Sequence, residues 1–224
     1  PRSTLLGVLG ARHLEAEFAR RVEHLRTGGT AAKLHLALAG VPSFKGVTPG
    51  QCGERLVIAP DLAYIERAFN PAKYGASSEQ PVFEIVLPTI HDSSLAPAGC
   101  HVLSAIVQYA PYDLRGGWAA GRAAFLAASM AVLEQYAPGI GALVRHAELL
   151  TPADIEQQFH IAGGHWHHGE LALDQFMMLR PVPGAAQYAM PVEGLYLCGA
   201  GCHPGGGVMG SAGRNAARVM LGKR

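Results

Sequence analysis

Hydrophobic positions along this chain change period from one segment to the next. Leu14, Phe18, Val22 and Leu25 recur at helical spacing, with Glu15, Glu17, Arg20, Arg21 and Glu23 between them. That spacing predicts an amphipathic helix from about His13 to Arg26, closed by Gly28-Gly29. From Lys33 to Leu38 the period drops to two. Leu34, Leu36 and Leu38 fall on one side, Lys33 and His35 on the other, as in a half-buried strand. Residues 41–54 are rich in glycine and proline and read as a loop. Leu56–Ala59 is a short strand. Asp61 can cap a helix carrying Leu62, Ile65 and Phe69, which Pro71 ends, and a polar loop follows over 72–81.

Val82–Leu87 and Val102–Tyr109 have the strongest strand patterns, and the long stretch between them excludes a tight hairpin. Trp118–Tyr136 is an alanine-rich helix, with Trp118 and Phe125 as core residues. Leu143–Leu150 reads as a strand. Thr151-Pro152-x-Asp154 starts a helix, with Thr as N-cap, Pro in the first turn and Asp at the third position. A histidine-dense loop covers 163–170. Leu171–Leu179 reads as helical, and Arg180-Pro181-Val182-Pro183-Gly184 breaks it. Gly194–Cys198 reads as a strand leading into a glycine loop, and Ser211–Leu221 as the last helix. Strands and helices do not alternate regularly. The class is therefore α+β, a mixed or antiparallel sheet covered by helices, not a doubly wound sheet.

Composition narrows the function classes. Apolar residues make up 49% and charged residues 16% of 224, so a disordered or acidic-tail protein is excluded. Eighteen Lys+Arg against seventeen Asp+Glu leaves a net charge of +1, which gives no footprint for nucleic acid. No segment reaches the roughly 18 apolar residues of a membrane span. Cys52, Cys100, Cys198 and Cys202 do not form a disulfide framework, and reduced thiols point to a cytoplasmic chain.

Glycine is the outlier. Of 28 glycines, seven fall between Gly199 and Gly213. A strand, a glycine loop and a helix let backbone N–H groups approach a ligand closely, and the helix N-terminus favours negative charge. Such a unit suits a phosphate or the edge of a cofactor ring. The other reading is tight helix–strand packing with no ligand. It is not the dinucleotide fingerprint, which follows a first strand and has an acidic residue about 20 positions on. Only about eleven residues follow Gly213.

Other clusters offer chemistry. His165-Trp166-His167-His168-Gly169-Glu170 has imidazole and carboxylate groups that suit Zn or Fe. It lacks the spacing and regular strands of a cupin site, and no metal ligand is assigned. Arg180 could hold an anionic substrate or a flavin oxygen, or could complement a helix dipole. His91-Asp92-Ser93 has the residue types of a hydrolase triad without a nucleophile elbow, so a serine hydrolase is rejected.

The segment Gly199-Ala200-Gly201-Cys202-His203-Pro204-Gly205-Gly206-Gly207, followed by Gly210-Ser211, resembles the C-terminal flavin segment of FAD-dependent oxidoreductases of the phytoene desaturase type. The likeness is strongest to the branch of pyridine nucleotide-disulphide oxidoreductase domain-containing protein 2 and its bacterial relatives. Cys202 stands where that family usually has Thr. Thr151–Glu156, Gly163-Gly164-His165, His168-Gly169-Glu170, Leu173-Asp174-Gln175 and Leu179–Gly184 carry the same likeness.

The resemblance implies a C-terminal portion of a longer flavoenzyme. No G-x-G-x-x-G pattern occurs near Pro1, so the N-terminal Rossmann half would be a missing partner. Residues 1–190 would be substrate domain, and 191–224 a returning strand, glycine loop and helix of the FAD domain. Gly199, Ala200, Gly201, His203, Pro204, Gly205, Gly206, Gly207, Gly210 and Ser211 would line the FAD. His168, Glu170 and Arg180 would face an apolar small-molecule substrate. The intact enzyme would dehydrogenate, desaturate or isomerise that substrate. Alone, the chain is expected to bind FAD weakly or not at all, to be inactive, and to self-associate as a homo-oligomer through its exposed flavin face. Two alternatives are a stand-alone binding or interaction module without redox chemistry, and a metal site in the histidine loop.

Overall fold

The computed structural model describes residues 1–222. Its regular elements are α1 (Ala16–Glu23), β1 (Ala31–Leu38), β2 (Leu56–Ile58), α2 (Leu62–Phe69), β3 (Val82–Val86), β4 (His101–Gln108), α3 (Trp118–Tyr136), α4 (Ile140–Leu143), β5 (Val144–Leu150), α5 (Pro152–Phe159) and α6 (Ser211–Met220). The chain divides into two compact units. One joins Pro1–Gly29 to Ile155–Arg224, and the other is Thr30–Asp154. The segment after 190 thus belongs to the same compact unit as residues 1–29 and 155–190.

The Thr30–Asp154 unit is built on a five-stranded antiparallel sheet in the order β2-β3-β4-β1-β5. The alternation in β1 survives in space. Leu34 lies opposite Ala105 on one side and Leu149 on the other, and Leu36 lies opposite Leu103. With Phe83, Ile85 and Val107 they form one fully apolar face, covered by Phe125, Val132 and Leu133 of α3 and Ile140 of α4. Trp118 and Phe125 meet edge to face at 5.7 Å, and the Trp118 indole N–H donates to the Pro111 carbonyl at 2.9 Å. Lys33 and His35 take the opposite face, where burial lowers the pKa of each. Asp61 accepts the Tyr64 N–H at 2.6 Å and so caps α2. The Thr151 N–H and hydroxyl both donate to Asp154 Oδ2, at 2.7 and 2.6 Å, and Thr151 Oγ1 accepts the Asp154 N–H at 3.3 Å. This is a reciprocal capping box with Asp in place of Glu.

Among the described residues the other unit has two apolar clusters and, in place of a ladder, one isolated bridge. Phe18 and Val22 of α1 pack with Leu5, Val182, Ala185 and Met190. Ala212 and Ala216 of α6 pack with Tyr188 and Cys202.

Three sequence expectations need correcting in this unit. The first helix stops at Glu23, before Gly28-Gly29. The next N–H, that of Leu25, turns back to the Val22 carbonyl at 3.3 Å, and the one after it, that of Arg26, leaves the helix for Gln175 Oε1 at 2.8 Å. Residues 171–179 form no α-helix. They make two single 3₁₀ turns, Leu173–Gln175 and Met177–Leu179, separated by an extended Phe176, because Asp174 and Gln175 bond Arg26 instead of covering a helix face. Gly194–Cys198 is no strand. Its strand-like pairing is one isolated bridge between Ala189 and Tyr196, flanked by bonds from the Leu197 N–H to the Tyr188 carbonyl and from the Met190 N–H to the Leu195 carbonyl. A strand needs a ladder for its N–H and C=O groups.

Candidate flavin-binding loop

The loop between Cys198 and Gly213 encloses a shallow cavity of about 180 Å³. Gly199, Ala200, Gly205, Gly206, Gly210 and Ser211 line it, whereas Gly201, His203, Pro204 and Gly207 do not. Gly205 (φ +111°), Gly207 (φ +116°) and Gly210 (φ +66°) hold backbone conformations that favour glycine. At Gly206 space is the reason. A Cβ there would stand 3.2 Å from His167 Nδ1 and 3.3 Å from Ala200 Cβ. Val208 and Met209 project into solvent at the rim.

The first turn of α6 forms one wall. Its N-cap is Gly210, and no side chain caps it, so its leading N–H groups remain available to a ligand. Tyr188 ties the loop to this helix. Its hydroxyl donates to the His203 carbonyl at 2.9 Å and accepts from Asn215 Nδ2 at 2.9 Å. His203 Nδ1 is buried with no hydrogen-bond partner. Burial pushes the Cys202 thiol pKa up, which keeps it neutral.

Of the three residues expected on the substrate side, Glu170 and Arg180 have partners within the chain. Glu170 Oε2 accepts from Arg26 Nε at 2.9 Å, and Arg26 also forms a two-bond pair with Asp174. Arg180 is 1% exposed, and its donors go to the carbonyls of His167, Gly169, Glu170 and Ala200. It follows the single 3₁₀ turn Met177–Leu179 and not an α-helix. His168 is half-buried at φ +57°. Burial lowers the pKa of His165, His167 and His168, and the charge of Arg180 adds to this. These imidazoles are therefore neutral near pH 7.

Among the described residues no group of three or more His, Cys, Asp and Glu is arranged to hold a metal ion, which leaves the histidine-loop metal reading without support. His91 bonds the Gly53 carbonyl and Asp92 accepts from Ser94, so these residues close local turns and form no triad. Among the same residues no helix is long and apolar enough to cross a membrane.

Sequence reasoning assigned no role to Arg26, Tyr188, Gln175 or Asn215. Gln175 carried a signal, since it lies in a segment quoted for the family likeness, but its partner is far away in sequence.

Comparison with known proteins gives this geometry a context. Pyridine nucleotide-disulfide oxidoreductase domain-containing protein 2 of Mus musculus is 40% identical over 233 residues, covering 99% of this chain. The chain is a homologue of part of that protein. It spans 40% of that relative's length. The lycopene-forming phytoene desaturase of Pantoea ananas is 32% identical over 60% of this chain and 27% of its own length. The neurosporene-forming phytoene desaturase of Cereibacter sphaeroides is 27% identical over 88% of this chain and 37% of its own length. No protein-family model matches the chain.

Proposed function

We propose that this chain is the substrate-domain and C-terminal flavin portion of an FAD-dependent oxidoreductase acting on an apolar small molecule. One observation carries the reading: a glycine-walled cavity that opens onto the uncapped first turn of α6. Backbone N–H groups and a helix N-terminus suit the electron-rich edge of a flavin ring. A cavity of about 180 Å³ takes a ring edge and not a whole dinucleotide, since complete ligand pockets run from about 300 Å³ upwards. The remainder of the FAD would rest on the Rossmann half, supplied by the part of the relatives that this chain does not match.

When bound, FAD supplies the electron-accepting chemistry. Gly199, Ala200, Gly205 and Gly206 hold its edge by main-chain contact. The N–H groups of Ser211, Ala212 and Gly213 favour negative charge there. Val208 and Met209 present apolar surface to the substrate and exclude water. Tyr188 and Asn215 keep the loop seated on α6. In this scheme 191–224 is the flavin segment and the residues before it serve the substrate side.

The test is an NMR titration of isotope-labelled chain with FAD. The expected result is weak binding, with amide shifts concentrated in Gly199–Gly213 and no turnover. Shifts centred on the histidine loop or the sheet would overturn the assignment.

A further inference from the structure

Arg180 is the largest side chain fully buried among the described residues. Burying a guanidinium is costly unless its charge is paired and its donors are satisfied. Here the donors are satisfied but the charge is not paired. Nε donates to the Ala200 carbonyl at 3.3 Å, and Nη2 to the same oxygen at 3.0 Å and to the His167 carbonyl. Nη1 donates to the Gly169 and Glu170 carbonyls, each at 3.4 Å. The Glu170 carboxylate, the obvious counter-ion, is bound to Arg26. Among the described residues no carboxylate pairs with Arg180.

Two glycines flank this arrangement, and their backbone conformation, not a lack of space, favours glycine there. A Cβ at Gly169 would stand 3.6 Å from Nη1, and one at Gly205 would stand 4.0 Å from Nε. Both glycines also hold positive φ, +149° and +111°. Only a five-donor planar fork can reach carbonyls on two segments at once; lysine has three donors on one point.

We propose that Arg180 is the positioning residue of the glycine loop: its buried fork joins the His167–Glu170 turn to Ala200 and so sets the cavity's shape without touching the ligand. The inference rests on the flavin reading only for the identity of that ligand. One consequence is local. The fork holds the His167 main chain, and the His167 ring stands behind Gly206, where an added Cβ would come within 3.2 Å of its Nδ1. The fixed charge is a second contribution, separable from the fork. His167 is held neutral by burial and then by Arg180, with the His165 ring 5.8 Å away as its ionisable neighbour.

The experiment compares Arg180→Lys and Arg180→Met in the full chain without FAD. Amide hydrogen exchange is read at 167–170 and 199–207, with 101–108 as internal control. Both variants should exchange about tenfold faster or more in the first two segments and as wild type in the third. The His167 NMR titration midpoint should rise in Arg180→Met and stay in Arg180→Lys, a difference that a purely space-filling role would not produce. Wild-type exchange at both segments in Arg180→Met, or full protection in Arg180→Lys, overturns the proposal. If Arg180→Met does not fold, Arg180→Lys alone carries the test, with wild-type protection as the overturning result. No FAD enters this experiment. Loss of loop protection in the variants, together with FAD-induced shifts outside Gly199–Gly213 in the separate titration, would therefore sink the flavin reading and leave the positioning role standing.

Discussion

Gln175 holds Arg26 by both of its main-chain groups. Its Oε1 accepts the Arg26 N–H at 2.8 Å, and its Nε2 donates to the Arg26 carbonyl at 3.1 Å. Gln175 is buried, and the Glu170 N–H bonds the same carbonyl at 3.0 Å. Arg26 in turn binds the carboxylates of Glu170 and Asp174. The motif residues Glu170, Asp174 and Gln175 thus act as an anchor for the segment after α1.

Gln175→Ala leaves the part-buried N–H of Arg26 without its partner, a loss of about 1–2 kcal/mol. Gln175→Glu should cost nearly as much, because a carboxylate cannot donate to the Arg26 carbonyl. Urea unfolding followed by circular dichroism measures both, and a change below about 0.5 kcal/mol for Gln175→Ala contradicts the anchor.

Two glycines with similar backbone should respond differently to alanine. Gly163 (φ +65°) would place a Cβ 2.1 Å from the Thr27 carbonyl oxygen, whereas Gly194 (φ +77°) has open space around it. Gly194→Ala is expected to cost about 1 kcal/mol from backbone strain alone, and Gly163→Ala about 3 kcal/mol or more. Equal midpoints in thermal unfolding would show that the Thr27–Gly163 approach does not matter.

Asp154 makes stability depend on acid. Burial by itself would raise its pKa. Hydrogen bonds from Arg122 and from the hydroxyl and N–H of Thr151 outweigh this and bring it from 3.8 down to about 2. Because the folded value lies below the unfolded one, the stabilisation is present above about pH 4 and is lost as pH falls through about 2. Arg122 is 40% exposed, so solvent screening limits the effect to about 1–2 kcal/mol. Asp154→Asn should lose that amount at neutral pH and flatten the acid limb of a stability–pH curve. An unchanged limb would assign acid sensitivity to other carboxylates.

Gly206→Val is expected to press against His167 Nδ1 and Ala200 Cβ and so displace this wall of the cavity, at a cost of about 1–2 kcal/mol. FAD-induced shifts at Gly199–Gly213 should then disappear, with the wild-type amide spectrum otherwise kept. Persisting shifts would move the ligand off this wall of the loop.

Much of the Thr30–Asp154 unit was legible because its signals are local. The period-two pattern of Leu34, Leu36 and Leu38 reports one face of a strand, and the caps at Asp61 and Thr151 use partners three residues away. The limits of α3, Trp118–Tyr136, followed from its alanine-rich run. In the glycine loop, residue type alone marked Gly205, Gly206 and Gly210, since positive φ and close approach admit little else.

The rest was settled by partners distant in sequence. The end of α1 depends on a side chain 149 residues away. The break-up of 171–179 depends on the same contact, and the strand expected at 194–198 lacks a neighbour to pair with among the described residues. Charge and residue type made Arg180 a ligand-binding candidate, but its carbonyl partners in two separate segments made it a buried tie. The sequence by itself determined the apolar face of each strand, the local caps and the glycine-built loop, because periodicity and backbone freedom are properties of neighbouring residues. Tertiary structure alone decided which polar groups face a ligand and which hold the chain, because a hydrogen bond goes to whichever partner the fold brings within about 3 Å.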